Sequence, residues 1–162
     1  MNLFGSFKSN ATVSNFTSAS IENPHILVIF PINSSMISES MDSISKIVSA
    51  YDDNNTQFSF LMDKRQSSKI NFFNIKTIPV EFKKEKFLIH SDRVLNKLKQ
   101  KKIDIVINLN TDFNFDIDSI VSEIDAKYKI GFITKYSDLF YNIQLNWDES
   151  GSRFKSIANI LG

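Results

Sequence analysis

Three short stretches constrain this chain more than anything else in it. Ile26 to Ile32 reads ILVIFPI, Ile103 to Leu109 reads IDIVINL, and Tyr128 to Ile133 reads YKIGFI. None keeps the strict apolar–polar alternation of a strand with one wet face. Near-continuous apolar runs of this length suit strands covered on both faces, as in the interior of a parallel sheet.

Parallel neighbours need crossover connections, and the intervening segments carry helical spacing. Met36 to Tyr51 places Ile37, Met41, Ile44, Ile47 and Val48 on one face, three and four residues apart. Ser91 reads as the N-cap of a helix to Gln100 with Val94, Leu95 and Leu98 inward. Asp116 to Asp125 is a shorter helix using Ile117, Ile120, Val121 and Ile124, and Gly151 to Leu161 closes the chain with Phe154, Ile157, Ala158 and Leu161. Asp52 to Asn55 is a turn, Gln57 to Met62 a second strand, and Asp63 to Asn74 a polar stretch with a turn or two of helix. Thr77 to Phe82 is a third strand, which Pro79 confines to an edge or an irregular pairing. Phe140 to Trp147 alternates, with Tyr141, Ile143, Leu145 and Trp147 on one face and Asn142, Gln144 and Asn146 on the other. That is the pattern of a half-exposed edge strand.

Strands alternating with helices predict an α/β fold: a single Rossmann-like three-layer domain with a mostly parallel sheet. The expected order is third, second, first, fourth, fifth strand, with Val28, Ile105 and Ile107 nearly inaccessible. The 162 residues fit one domain, and no linker divides them. Residues 24–162 form the expected domain. Residues 1–23, polar apart from scattered Phe4, Phe7 and Phe16, read as a mobile leader.

Composition excludes several chemistries. Nineteen Lys and Arg against 18 Asp and Glu leave no basic surplus for nucleic acid. With no cysteine there is no disulfide, thiolate ligand or thiol nucleophile. His25 and His90 are too few and too far apart for a histidine metal site, and both read as structural or solvated. No run of 18 apolar residues spans a bilayer, and no apolar signal segment opens the chain, so a bacterial cytoplasmic protein is expected.

The first strand-to-helix turn is where such a sheet holds phosphate, on glycines that let the backbone approach. Here it runs from Pro31 to Glu39 without a glycine, and Glu39 adds a negative charge. No cofactor is therefore expected. Asn33, Ser34, Ser35 and Ser38 suit a small polar ligand, but helix capping accounts for them more simply. Asp112, Asp116 and Asp118 follow the fourth strand, at the sheet edge where ligands of open α/β folds bind. They are candidates for a cation or a base; capping of the next helix by Asp116 or Asp118 is the simpler account. Lys97, Lys99, Lys101 and Lys102 complement a helix C-terminus more naturally than they make a phosphate site.

The stretch from Lys102 to Gly131, with the phenylalanine that follows it, resembles the acceptor-side, N-terminal half of glycosyltransferase family 9, the heptosyltransferase-like enzymes of GT-B fold. There a strand of the form D-hydrophobic-hydrophobic-I-x-L precedes a short helix and a strand ending I-G-F/Y. Asp104, Ile107, Leu109, Ile130, Gly131 and Phe132 fit. The Asn142–Leu145 strand and the Arg153–Gly162 helix are similar to the next segment of those enzymes, and the likeness extends over most of residues 24–162. The resemblance implies that this chain corresponds to the first of two Rossmann-like domains, without the C-terminal domain that holds the nucleotide-sugar. It also implies a Gly-Asp in the first loop, its aspartate a candidate base; this chain has Asn33-Ser-Ser-Met36 instead.

The expected function is therefore a non-catalytic single-domain relative of a glycosyltransferase N-terminal half, acting as a binding or protein-interaction module. The alternative is a subunit of a split glycosyltransferase whose donor domain lies on another chain. A small hydrolase or carbohydrate-binding enzyme using Asp112, Asp116 or Asp118 ranks below both. A protein partner or a second copy is expected to meet the last strand at Asn142 and Gln144, with Phe113 and Phe115 as apolar anchors.

Overall fold

The computed structural model describes residues 21–51, 55–70, 75–146 and 154–157. Eight strands are present among them: β1 His25–Ile29, β2 Gln57–Asp63, β3 Lys76–Val80, β4 Phe82–Lys83, β5 Phe87–Leu88, β6 Ile105–Asn108, β7 Tyr128–Phe132 and β8 Ile143–Leu145. The helices are α1 Ile37–Ala50, the single turn α2 Lys64–Ser67, α3 Ser91–Lys99 and α4 Phe115–Glu123.

Six strands form one sheet in the order β3-β2-β1-β6-β7-β8, and every pairing in it is parallel. The expected five-strand order is present, with β8 added at the far edge. Side chains of the central strands alternate between two cores. Ile26, Val28, Ile105, Ile107, Ile130 and Phe132 meet Ile44 and Ile47 of α1, together with Phe154 and Ile157. Leu27, Ile29, Leu61 and Val106 meet Leu98 of α3 and Ile117, Ile120 and Val121 of α4. Two apolar faces per strand explain why the runs lack alternation. Val28 and Ile107 are fully inaccessible and Ile105 nearly so.

Several local expectations change. The helix expected from Met36 begins with a 3-10 turn, Ser34–Met36, capped by the Asn33 side chain on the Ser35 N–H. Ser91 is the first helical residue rather than the cap. His90 precedes it in the left-handed region and makes no side-chain cap bond. The cap of α4 is Asn114, whose Oδ1 accepts the Ile117 N–H, not Asp116 or Asp118. Pro79 lies in the edge strand β3, where a missing N–H costs no ladder bond. The last strand is three residues long. Tyr141 lies outside it and faces the α4 core, opposite Ile143 and Leu145, so the alternation read across Phe140–Trp147 breaks at Asn142. Trp147, and most of the closing helix expected from Gly151 to Leu161, lie outside the described residues, as do residues 1–20 of the expected leader.

One element has no counterpart in the sequence pattern. After β3 the chain makes an antiparallel hairpin, β4–β5, through Lys84, Glu85 and Lys86, the first two with positive φ. The turn is closed by the Lys86 N–H on Lys83 O, and its two positive-φ positions normally select Asn-Gly.

Candidate functional site

Strand order reverses between β1 and β6: β1 is followed in the chain by β2 on one side, β6 by β7 on the other. Their C-terminal ends therefore part and leave a crevice, the usual ligand position of an open α/β sheet. A cleft of about 350 Å3 lies there, lined by residues that include Asn33, Lys86, Asn110, Asp112 and Phe113. The structure thus brings together two segments singled out separately in the sequence, Asn33 and Asp112–Phe113.

Most polar groups of the cleft already hold the fold. Asn33 Oδ1 accepts from the Ser35 N–H and hydroxyl. Asn110 joins the two strand ends as a strand backbone would: its Oδ1 accepts the Ile32 N–H at 2.9 Å, and its Nδ2 donates to Phe30 O and Asn108 Oδ1. Asn114 caps α4 and donates through Nδ2 to Lys86 O at the hairpin. Ser34 and Ser35 are exposed and are not among the cleft residues. Asp112 is exposed at the mouth. Asp116 is turned to the hairpin instead, where its Oδ2 accepts the Leu88 N–H at 2.8 Å.

Asp118 is buried beneath the cleft. Its Oδ2 accepts the N–H of Asn114, completing a reciprocal cap, while its Oδ1 accepts the Tyr141 hydroxyl. Asn108 Nδ2 donates to the same Tyr141 oxygen at 2.6 Å. Burial raises the Asp118 carboxyl above the ordinary carboxylate range, against the opposing pull of these hydrogen bonds. Burial, reinforced by Asp118, likewise raises the Tyr141 phenol. Gly131 makes this trio possible: a Cβ there would lie 2.6 Å from the Tyr141 ring. The glycine of the I-G-F stretch is thus a packing requirement. The trio ties β6, α4 and the approach to β8 together, and it is closed to solvent, which suits structure rather than catalysis.

Around the cleft the surface is apolar. Phe87, Phe113, Phe115, Ile133, Tyr136 and Leu139 are the exposed large hydrophobic side chains among the described residues. All six lie in or beside connections that leave the C-terminal ends of β3, β6 and β7. Phe113 packs edge-on against Tyr136, ring centres 5.0 Å apart, and lies near Phe140. The expected edge contacts at β8 differ in kind. Asn142 is exposed, but its amide accepts from the Lys129 N–H and donates to Lys127 O. Gln144 Oε1 accepts from the Ser137 hydroxyl. Asn142 fastens the approach to the edge strand onto β7, and Gln144 fastens the strand to the turn that precedes it.

His25 lies at the opposite end of the sheet. Its Nδ1 faces Lys102 O and its Nε2 the Ser59 hydroxyl. A carbonyl only accepts, so Nδ1 carries the proton and Nε2 accepts from Ser59. Burial lowers the imidazole from its ordinary 6.5 and keeps it neutral. Among the described residues no cluster of three His, Asp or Glu is placed to hold a metal ion, and no helix is long and apolar enough to cross a membrane.

No protein-family model matches the sequence, and no curated protein matches it. Solved structures do. The glycosyltransferase family 9 protein of Veillonella parvula superposes with a TM-score of 0.66 at 20% identity, over 88% of this chain and 42% of that one. The E. coli heptosyltransferase WaaC, solved with ADP, gives 0.62 at 13% identity, over 85% of this chain and 46% of its own. The UDP-GlcNAc 2-epimerase of Methanocaldococcus jannaschii gives 0.51 at 11% identity, over 94% of this chain and 41% of its own. A transferase and an epimerase sharing one architecture show that the fold does not fix the reaction. This chain has the α/β fold of the family 9 and heptosyltransferase structures, and spans less than half their length.

Proposed function

We propose that this chain is a non-catalytic relative of a glycosyltransferase N-terminal half that works as a protein-interaction module, docking a partner on the rim at the C-terminal ends of its strands. One observation carries the reading: all six exposed large hydrophobic side chains described lie on that rim. Aromatic anchors gathered on one face are typical of association surfaces. The cleft inside the rim argues in the same direction. Asn33, Asn110 and Asn114 are engaged in capping and strand clamping, and the loop offers no carboxylate where the family resemblance implies a base.

A second reading has its own support. The matched structures are more than twice as long as the matched part of this chain. A donor domain on another chain, seated on the same rim, would make this protein a subunit of a split glycosyltransferase.

Affinity purification from the native host, with the parent and with a Phe115→Ser/Leu139→Ser variant side by side, tests both. The interaction reading expects a partner that the parent retains and the variant loses. A second Rossmann-like domain as that partner selects the split enzyme. Equal retention by both proteins removes the rim from consideration. The isolated chain is expected to show no melting shift with millimolar nucleotide-sugar; a rise of several degrees contradicts the non-catalytic reading.

A further inference from the structure

At the N-terminal ends of β1, β2 and β3 lies a second cavity of about 350 Å3, on the side of the sheet away from the cleft. Val48, Tyr51, Phe58 and Ile75 form its apolar wall, and its polar lining is His25, Thr56, Gln57, Ser59, Lys76 and Lys101. Three features of it need a common explanation.

The first is charge. Lys76 and Lys101 both line the cavity, and partial burial together with the neighbouring Lys76 and Lys97 charges lowers the Lys101 amine from its ordinary value. Two neighbouring ammonium groups repel one another. The C-terminus of α3 attracts Lys101, but that attraction supplies no reason for Lys76 to approach it. The second is the Thr56 hydroxyl, which is buried and has no hydrogen-bond partner among the described residues. An orphaned buried hydroxyl is costly unless something in the cavity meets it. The third is that burial and the nearby Lys101 charge hold His25 neutral against the opposing pull of its bond to Lys102 O, so the positive charge of the cavity belongs to the lysines.

We infer that this cavity binds a phosphate dianion, inorganic phosphate or a terminal phosphate monoester on a small molecule, between the Lys76 and Lys101 ammonium groups. A tetrahedral dianion has the charge to turn their repulsion into two charge-assisted hydrogen bonds. The apolar wall leaves room for a small attached body, and a turn about the Thr56 side-chain torsion, which breaks no hydrogen bond, would bring its hydroxyl out to donate to a remaining oxygen. The site is separate from the cleft and does not depend on the function proposed above.

The test is thermal melting of the full chain with inorganic phosphate at constant ionic strength, balanced with chloride. A tenfold excess over Kd should raise Tm by about 3–6 °C. The rise should disappear in Lys76→Met and in Lys101→Met. Equal responses to phosphate and chloride, or a phosphate response surviving in both variants, overturn the proposal. Acetate in place of phosphate is the second arm: stabilisation by acetate alone assigns the cavity to carboxylates and also overturns it. Asp52 and Asp53, close in sequence and outside the described residues, supply a third. If Asp52→Asn/Asp53→Asn gains a phosphate response that the parent lacks, the chain's own carboxylates occupy the site and the proposal falls. Should a lysine variant fail to fold, 31P line broadening of millimolar phosphate by the parent reads the site directly, and its absence overturns the assignment.

Discussion

The two rims of the sheet are built from the same strands and differ in almost every surface property. The C-terminal rim carries Phe113, Phe115, Tyr136 and Leu139 in the open and ties its amides into caps and clamps. The N-terminal rim gathers lysines about a half-buried cavity and leaves a threonine hydroxyl without a partner among the described residues. Exposed apolar area gains free energy when another surface covers it, at about 25 cal/mol per Å2, and that gain is not screened by salt. Crowded like charges are relieved by a small counter-ion and screened by salt. One domain thus presents a surface suited to a protein and a cavity suited to an anion, at opposite ends of one core.

The largest effect should erase the distinction. Val28→Asp buries a charge at a fully inaccessible position shared by no rim, with no partner to pair it. The cost is several kcal/mol, and soluble expression should be lost.

A smaller effect should loosen the sheet beneath the C-terminal rim. Gly131→Ala drives a methyl into the Tyr141 ring, and chemical denaturation should show a loss of about 1–3 kcal/mol. Tyr141→Phe removes the hydroxyl that Asp118 and Asn108 share, and should cost about 1–3 kcal/mol. The phosphate response of the other rim should survive both, since neither residue lines that cavity.

Phe115→Ser/Leu139→Ser should leave stability within about 0.5 kcal/mol of the parent, because both side chains are mostly exposed, 70% and 69%. Retained melting with lost partner capture would separate surface from core.

The smallest effect is in pH. Burial lowers the folded-state pKa of His25 below 6.5, so the unfolded chain binds the proton more readily. The stability due to neutral His25 is complete above about pH 6.5 and is lost as pH falls toward the folded-state value. His25→Gln should flatten that part of the stability profile, measured by denaturation between about pH 5 and 7. An unchanged slope would mean that another group governs the N-terminal rim.

The layered architecture is legible in the sequence because burial on both faces leaves a strand no polar positions to spare. ILVIFPI could not serve a one-sided sheet, and its neighbours repeat the pattern. The cleft is half legible: Asn33 and Asp112 follow the strands whose ends part. Asn110 does not stand out because asparagine is abundant throughout this chain, and its role depends on a donor from Ile32, 78 residues away. The cap of α4 falls on Asn114 rather than on an aspartate because Asp and Asn serve equally well in sequence, and only the turn geometry favours Asn114. The hairpin gives no signal, since Lys84 and Glu85 occupy positive-φ positions that usually announce themselves with asparagine or glycine.

By itself the sequence determined the sheet, the order of its five expected strands and the absence of a glycine loop, because these follow from periodicity and residue type within single segments. Tertiary structure alone decided which way Tyr141 faces, why residue 131 must be glycine, and which side chains share a rim. Those depend on atoms brought together from distant segments: Asn108, Asp118 and Tyr141 meet only once β6, α4 and the approach to β8 have packed, and Lys76 reaches Lys101 only across the end of a finished sheet.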